Sequence, residues 1–371
     1  MKFTCLQENL TQGLTKVYRA VPTKSELPIL ANVLIVAKDN QLKLSATNLS
    51  TTIVTHVGAS IEKDGAITVP AKMLRDFIAN LSSDTIEALL KEDVLHISSD
   101  ITKSKFNGVS AEDYPDLPEE KADLQSLELS PQDFYQAVSA VSFCASLDDS
   151  RPVFTGIYMN YDGSVITLAA SDGFRLSETK LKPLNKKEKF VVVIPAKTLT
   201  DVARVYTDNV SPITFCLDKN DNLAIFKQND TIIATRILDG DYPDYTKIVP
   251  TTTSTKAEFF AHEFLEAVKL TDIFAKEADS ALIMKINPKG FIEITATAQE
   301  AGEHKSKFKA EVESAEALDI GFNSKFLLDF LNNIKSEKLT IRTNGRSAPC
   351  IFESTELQNY LHIIMPMQIN G

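Results

Sequence analysis

The sequence contains few cysteines, and none of them stands in a pattern that builds a site. Its 371 residues include four, spread far apart and without a CxxC pair: Cys5, Cys144, Cys216 and Cys350. This spacing argues against a disulfide framework and a zinc ribbon, and it favours a reducing compartment. No apolar stretch approaches the ~18 residues that a membrane span needs, and residues 1–8 turn polar too early for a secretory segment. We therefore expect a cytoplasmic protein.

Recognisable catalytic and nucleotide-binding motifs are also missing. None of the five histidines stands in an HExxH or HxH pattern. No two of the 13 glycines are two residues apart, so there is no GxGxxG motif, and there is no GxxxxGK[ST] phosphate loop. The sequence therefore gives no support to a metal site or to nucleotide binding by these routes, and we expect no cofactor.

Positive charge is in deficit. The chain has 39 Lys and Arg against 50 Asp and Glu, which gives a formal net charge of -11. Such a chain is not expected to bind a polyanion over its whole surface. With 43% hydrophobic and 24% charged residues, the composition is that of a globular protein, and the length fits two or three domains.

Three copies of one unit organise the chain. Segments 67–77, 192–202 and 320–330 resemble one another, and they align three lysines at offsets of 125 and 128 residues: Lys72, Lys197 and Lys325. An alternating strand at 42–46 recurs at 166–170 and 292–296, as period-2 patterning predicts for strands. Apolar pairs with helical spacing recur at similar offsets: Leu10 and Leu14, Phe134 and Val138, Phe264 and Val268. The repeats predict an α+β fold.

The same repeats give the domain limits and the helices. We predict three domains, at residues 1–121, 127–250 and 256–371, separated by turn-prone or charged segments. Each domain has two short helices among strands. The six predicted helices cover residues 7–20, 71–81, 131–147, 196–207, 261–276 and 324–335.

The segment nearest to a catalytic motif lies in the second repeat. Ser171, Asp172 and Arg175 stand within five residues, at the end of a predicted strand. Adjacent residues there point in different directions, so they cannot form a triad among themselves. Asp172-Gly173 is typical of a tight turn, and the segment also fits a binding surface. A hydrolase or transferase that uses these three residues stays an alternative at this point.

The order of several short motifs within the triple repeat resembles the bacterial replication sliding clamps, the β subunits of DNA polymerase III. The resemblance covers essentially the whole chain. Four segments carry it: Met1-Lys2-Phe3-Thr4, Leu27-Pro28-Ile29-Leu30, Ser171-Asp172-Gly173-Phe174-Arg175-Leu176 and Met365-Pro366-Met367.

The resemblance implies a non-catalytic processivity factor with three similar clamp-type domains. Two chains would join head to tail into a ring, with helices lining the hole and antiparallel sheets on the outer rim. The ring would encircle duplex DNA without sequence specificity and tether the replicative polymerase, the clamp loader and other proteins that carry a clamp-binding peptide. A clamp-like paralogue that binds such partners without being the main processivity factor is the alternative. The implied dimer contacts are Phe106, Ile273 and Phe274.

The helices are less acidic than the rest of the chain. The six predicted helices hold ten basic and eight acidic residues, whereas the whole chain has a formal net charge of -11. The three repeated lysines lie in first turns, where a cation opposes the helix dipole, so a facing polyanion gives a reason for them. The expected DNA-binding residues, Lys24 among them by resemblance alone, are Lys24, Lys72, Lys197, Arg204 and Lys325. Asp148 and Asp149 stand where members of that family often have a polar neutral residue, and the two carboxylates would repel phosphate.

The resemblance also implies a cleft for the partner peptide between the second and third domains. Methionine and aliphatic side chains would form an adaptable apolar groove, with a few polar groups to orient the peptide. Gln368 stands where the family often has a basic residue, and Lys247 stands in place of an arginine, so we expect altered partner preference. The implied cleft residues are Phe154, Ser171, Gly173, Phe174, Arg175, Leu176, Pro243, Lys247, Ile248, Ile363, Ile364, Met365, Pro366 and Met367.

Overall fold

The structure is a computed structural model, and it describes residues 1–118, 124–206, 210–277 and 279–368. Parts of the predicted limits, at 119–121 and at the chain end, lie outside the described residues. The chain packs as two compact units. The first contains Met1–Gln132, Pro183–Lys187 and Asp201–Ile237, and the second contains Asp133–Lys182, Glu188–Thr200 and Leu238–Gly371. No helix of the described part is long and apolar enough to span a membrane.

The described residues form six α-helices, one in each predicted window: α1 (Gln7–Tyr18), α2 (Ala71–Ala79), α3 (Pro131–Ser142), α4 (Ala196–Val205), α5 (Ala261–Ala275) and α6 (Ser324–Asn333). Short 3-10 helices cover Pro28–Ala31, Ala111–Asp113, Pro152–Thr155 and Tyr245–Ile248.

The strands of the first 118 residues are β1 (Lys2–Leu6), β2 (Asn32–Lys38), β3 (Gln41–Thr47), β4 (Thr51–Gly58), β5 (Ser60–Lys63), β6 (Gly65–Pro70), β7 (Thr85–Lys91), β8 (Val94–Ser98) and β9 (Lys103–Asn107). Those that follow are β10 (Ser126–Leu129), β11 (Gly156–Tyr161), β12 (Ile166–Ser171), β13 (Arg175–Leu181), β14 (Phe190–Pro195), β15 (Ile213–Asp218), β16 (Leu223–Gln228), β17 (Thr231–Arg236) and β18 (Thr255–Phe260). The last are β19 (Ala281–Asn287), β20 (Phe291–Ala298), β21 (Gly302–Lys309), β22 (Glu311–Glu313), β23 (Leu318–Asn323), β24 (Lys338–Thr343), β25 (Cys350–Ser354) and β26 (Leu361–Ile364).

In the part of the first unit that the structure describes, the strands form two antiparallel sheets. One has the order β5-β1-β7-β8-β9, and the other has the order β10-β15-β16-β17-β4-β3-β2-β6. In the second unit, one sheet has the order β14-β11-β12-β13-β26-β25-β24-β18-β22, and a four-stranded sheet has the order β21-β20-β19-β23. The three strands with the repeated alternating pattern, β3, β12 and β20, take equivalent places in these sheets.

The helices pack through the apolar pairs that the sequence repeats. Leu10 and Leu14 of α1 are buried in the first unit, and Phe264 and Val268 of α5 are buried in the second. Helix α3 ends at Ser142, five residues before its predicted window closes. The N–H of Ser146 donates to the Phe154 carbonyl at 2.8 Å, so it is not available to continue the helix.

Neighbouring repeats are joined by pairing one strand of each. In the first unit, β4 of the first repeat pairs with β17 of the second, and the central partners are Ile53 and Ile233. In the second unit, β13 of the second repeat pairs with β26 of the third, and Ser177 lies opposite His362. We call these two pairings the first joint and the second joint. Sequence patterning predicted the neighbouring strands β3 and β12, but neither these four joint strands nor their partners.

Candidate peptide-binding site and nucleic-acid face

The turn between β12 and β13 is built by its own side chains. The Ser171 hydroxyl donates to the Arg175 carbonyl at 2.7 Å and accepts from the Gly173 N–H at 3.1 Å. Asp172 Oδ1 accepts the N–H groups of Phe174 and Arg175 at 2.9 and 3.0 Å. Gly173 has φ +94°, a conformation that side chains disfavour. The turn leaves the Phe174 side chain 62% exposed.

Arg175 links this turn to α6. Its Nη1 donates to Asp329 Oδ2 at 2.7 Å, and its Nε donates to Asp172 Oδ2 at 3.0 Å. The guanidinium lies over the Phe326 ring, 4.5 Å from the centroid, and the residue is only 8% exposed. A buried guanidinium needs such partners because an unpaired charge is costly to bury. Arg175 therefore supports the turn from beneath.

The chain beyond β26 is fixed by backbone hydrogen bonds beside that turn. The Met365 N–H donates to the Phe174 carbonyl at 2.8 Å, and the Met367 N–H donates to the Gly321 carbonyl at 2.8 Å. Met365, Pro366 and Met367 are each partly exposed. The structure thus places the predicted 365–367 segment next to the predicted 173–174 turn.

Aromatic residues continue this surface. Phe154 packs edge-on against Tyr242 at a centroid distance of 5.9 Å, and Tyr242 lies 5.2 Å from Tyr158. The Tyr245 hydroxyl donates to Glu178 Oε2 at 2.6 Å, and burial raises the pKa of this phenol. Sequence reasoning missed the three tyrosines, although Tyr242 and Tyr245 flank the predicted Pro243.

The predicted cleft residues divide into an exposed and a buried group. Pro243, Lys247 and Ile248 are exposed, and Lys247 Nζ lies 3.3 Å from Asp244. We expected aliphatic side chains to form the adaptable groove surface, but Leu176, Ile363 and Ile364 are buried and at most 1% exposed. Leu176 and Ile363 are buried because the segment of Tyr245 and Val249 packs over them. They form a floor, whereas Phe174 and the methionines form surface.

Arg151 and Phe326 are further residues at this surface that sequence reasoning missed. The Arg151 guanidinium stacks over the Phe154 ring at 4.8 Å. One of its nitrogens would lie 3.5 Å from a Cβ placed on Gly173. No motif marks Arg151, although its partner Phe154 is only three residues away, and Phe326 reaches the site through Arg175, which is distant in sequence.

A buried serine and histidine pair lies behind the site. The Ser177 hydroxyl is 2.8 Å from His362 Nδ1, 3.2 Å from Cys144 Sγ and 3.2 Å from the Tyr360 hydroxyl. Ser177 and His362 are both 0% exposed, so no substrate reaches them. Burial, with the nearby Arg175 charge, lowers the pKa of His362 to about 3, so the ring is neutral. The pair is a packing element of the second joint.

The cationic residues predicted for DNA are on the surface. Lys24, Lys72, Lys197, Arg204 and Lys325 are all exposed. Within the six described helices, the exposed charged side chains are five cations and three acids: Lys72, Lys197, Arg204, Lys269, Lys325, Glu8, Asp133 and Glu266. These exposed helical charges are therefore basic on balance in an acidic chain.

Several other acidic residues of the helices form ion pairs with cations of the same chain. Asp201 accepts from Arg19 at 3.2 Å, and Asp272 lies 2.8 Å from Lys276. Asp148, in the loop that we expected to repel phosphate, accepts from the Ser150 N–H at 2.9 Å. These hydrogen bonds lower the pKa of Asp148, so its carboxylate stays ionised and its charge remains unfavourable to phosphate.

Protein-family comparisons assign consecutive parts of the chain. The N-terminal domain model of the DNA polymerase III beta subunit matches residues 1–118, the central domain model matches 128–244, and the C-terminal domain model matches 246–368. The chain belongs to the DNA polymerase III beta subunit family. The predicted α+β fold with three clamp domains is confirmed, and members of the family are non-catalytic. The rival hydrolase interpretation of Ser171, Asp172 and Arg175 is therefore wrong.

Relatives in this family span the whole chain. A protein named beta sliding clamp from Synechococcus elongatus is 28% identical over 377 residues, covering 100% of both sequences. One of the same name from Bacillus subtilis is 24% identical and covers 99% of this chain and 100% of its own. A solved beta subunit from Thermotoga maritima matches with a TM-score of 0.93 at 25% identity, covering 99% of each chain. The Bacillus subtilis clamp structure has a TM-score of 0.92 at 24% identity and covers 100% of this chain and 99% of its own.

In the described part of this family member, no group of three or more His, Cys, Asp or Glu residues could hold a metal ion. The three domain models agree with the number of predicted domains. The limits at 1–121, 127–250 and 256–371, and the individual site residues, stay predictions.

Proposed function

We propose that this chain is a DNA sliding clamp that encircles duplex DNA as a homodimeric ring and tethers the replicative polymerase and other replication and repair proteins. The observation that carries the proposal is the repeated joint. In each repeat, three consecutive antiparallel strands follow one another, β2-β3-β4 in the first and β11-β12-β13 in the second. Each joint pairs the third of these strands, β4 or β13, with the last strand of the next repeat, β17 or β26. One surface therefore recognises a different surface, which is the kind of contact that can close a ring.

Two strands are left over by this rule. In the third repeat, β21 follows β20 as β4 follows β3, and in the first repeat, β9 is the last strand of its sheet. Both are edge strands, and no backbone hydrogen bond reaches the outer side of either from the described residues. Free edges readily pair with another chain. A second copy would complete one joint at each end and close the ring.

The predicted dimer residues lie at these two edges. Phe106 is on β9, where it is 5% exposed and packs against Phe77 at a centroid distance of 5.3 Å. Phe274 stacks on His304 of β21 at 5.5 Å, and the neighbouring Ile273 is 63% exposed. Ile273 therefore offers apolar surface to a partner. Phe106 is buried, so it would contribute to the dimer by holding β9 in position.

Enclosure explains how an acidic chain can hold DNA. A clamp must slide, so phosphate contacts without base readout suit it, and topology supplies retention. We propose that Lys24, Lys72, Lys197, Arg204 and Lys325 make these contacts. Their exposure supports the proposal, and so does the position of the three repeated lysines at helix starts.

We propose that partner peptides bind the surface of Phe174, the 365–367 segment and the aromatic residues beside Pro243. The buried floor of Leu176, Ile363 and Ile364 would keep the groove rigid, and the partly exposed methionines would adapt to different peptides. Arg151 and Lys247 would contribute the cations near the groove.

The cytoplasm is the proposed location. Its support is the set of four free cysteines, of which Cys5, Cys144 and Cys350 are buried. The alternative of a clamp-like paralogue is not favoured by the comparisons.

The mass in solution tests the dimer. One chain has a mass of 41.0 kDa, and light scattering at micromolar concentration should give about twice that value. A monomer at every concentration tested would contradict a two-chain ring.

A further inference from the structure

The two joints inside the chain share one register. Ala46, Ala170 and Ala296 lie near the ends of the equivalent strands of the three repeats, and each lies opposite one residue of the next strand. These opposite residues are Ile53 on β4, Ser177 on β13 and His304 on β21. The three therefore occupy one structural position.

The last strands of the three repeats can be aligned in the same way. Each pairs with the strand before it, and we compare the residue two positions after the first buried apolar residue of that strand, which is Ile97, Phe226 or Phe352. The residues opposite these are Ser104 on β9, Ile233 on β17 and His362 on β26. They form the second structural position.

Both internal joints bring the two positions face to face. Ile53 lies opposite Ile233 in the first joint, and Ser177 lies opposite His362 in the second. By the same rule, we infer that His304 lies opposite the partner's Ser104 in the joint between two chains. This inference rests on the proposed homodimeric clamp.

The register fixes the neighbouring pairs, because the strands run antiparallel. One step away on either side, Lys305 lies opposite the partner's Lys103, and Glu303 lies opposite the partner's Lys105. His304 stacks on α5, so side chains on the alternate positions of β21 face away from the helix. All four charged residues are exposed in the chain.

The pair of lysines has no equivalent in the internal joints. The corresponding residues are Val54 and Ile232 in the first joint, and Glu178 and Leu361 in the second. Directly opposite side chains have Cβ atoms about 5 Å apart, and like charges there are destabilising. Lys305 Nζ lies 2.7 Å from Glu293, but its side chain is still 62% exposed, so its charge remains open to the partner strand.

We propose that the opposed lysines, Lys305 and the partner's Lys103, weaken the joint between subunits and make this clamp easier to open than one with two complementary pairs there. The Glu303 pair with the partner's Lys105 holds the same strands together.

A charge-reversal cycle tests the register. The dimer dissociation constant is measured by sedimentation for wild type, K305E, K103E and K103E/K305E. Each single reversal creates an opposite pair at both joints of the ring. We expect the dissociation constant to fall by about tenfold for K103E, and by less for K305E, because its new carboxylate also lies beside Glu293 of the same chain. The double variant restores a like-charged pair and should return close to wild type. E303K should weaken the dimer, because it places a second lysine pair in the joint.

K38E is the matched control, because it makes the same change in net charge on an exposed residue at the end of β2. It should leave the dissociation constant unchanged. The gain of K305E should shrink at high salt, where charges are screened. The proposal would be overturned if the single variants left the dissociation constant unchanged or raised it. It would also be overturned if the effects of K103E and K305E on the dissociation constant simply added in the double variant. Retention on circular DNA tests the clamp function separately, so a ring that is retained but shows no coupling contradicts only the register.

Discussion

Arg175 and Asp329 are 154 residues apart in sequence, yet they form a hydrogen-bonded ion pair of 2.7 Å beneath the candidate peptide site. The first joint has a counterpart, since Arg19 donates to Asp201 at 3.2 Å. Asp201 and Asp329 occupy the same position in the repeated helix segments. The same acid thus receives an arginine from the preceding repeat at both joints.

Substitution of Asp329 by Asn should destabilise the protein more than the same change at Asp201. Arg175 is 8% exposed and would lose one of two carboxylate partners, whereas the Arg19 side chain is 31% exposed and can be hydrated. We expect a loss of about 2 kcal/mol in the free energy of unfolding for D329N and less than about 1 kcal/mol for D201N. Urea unfolding of the two variants measures both values. Equal losses would contradict a special role for the buried pair.

Phe174 should contribute directly to peptide binding. F174A removes an exposed ring from the turn beside Met365, and we expect at least a tenfold weaker affinity for a clamp-binding peptide. M365A, or deletion of residues 365–371, should weaken the same peptide and leave the dimer intact. Leu49 is the control, because it is 51% exposed in the matching turn before β4. Fluorescence titration should show L49A binding like wild type; unchanged affinity in F174A and M365A would argue against this site.

His362 should make stability depend on pH. Its folded pKa of about 3 lies below the ordinary value of 6.5, so the unfolded chain binds the proton more readily. The stabilising contribution is present above pH 6.5 and is lost as the pH falls toward 3. Between pH 7 and pH 4.5, wild type should lose about 2–3 kcal/mol more than H362Q.

The control for this comparison is H262Q, which removes an exposed histidine at the start of α5. It should keep the pH dependence of wild type. Parallel curves for wild type and H362Q in urea unfolding at the two pH values would show that His362 is not buried as a neutral ring.

Lys325 should contribute to DNA binding but lower the stability of its helix, α6. K325E places an acid in the first turn of α6, which should stabilise the fold by about 0.5 kcal/mol, while weakening duplex binding and reducing its salt slope by about one. K335E, just beyond the other end of α6, should destabilise the helix instead. Thermal unfolding and anisotropy titrations at several salt concentrations separate the two effects. If K325E left the DNA affinity unchanged, Lys325 would not belong to the DNA face.

Repetition made much of this fold predictable. The three repeated apolar pairs, of which Leu10 and Leu14 are the first, placed α1, α3 and α5, because helical spacing is local. The repeated lysines, each the second residue of its helix, placed α2, α4 and α6. The strand β20 was predicted for the same reason. What each strand pairs with beyond its own hairpin was not predictable, because alternation specifies which side is buried but not the neighbour.

The candidate site shows the same limit. Its turn at Asp172-Gly173 was readable from local chemistry, and Phe174, which the resemblance implied as a cleft residue, is exposed there. The burial of Ile363 and Ile364 was not, because a strand at the chain end looks exposed until β13 and β25 are known to flank it. Asp329 belonged to a visible repeat, yet its arginine partner comes from another repeat.

The most direct test of the central claim is retention on DNA after the DNA ends are changed. The protein is loaded on a closed circular duplex and washed in high salt, and the circle is then cut once. A ring should stay on the closed circle in salt that disrupts phosphate contacts and should leave after linearisation. Loss from the closed circle in high salt, or equal retention on closed and cut DNA, would contradict the clamp.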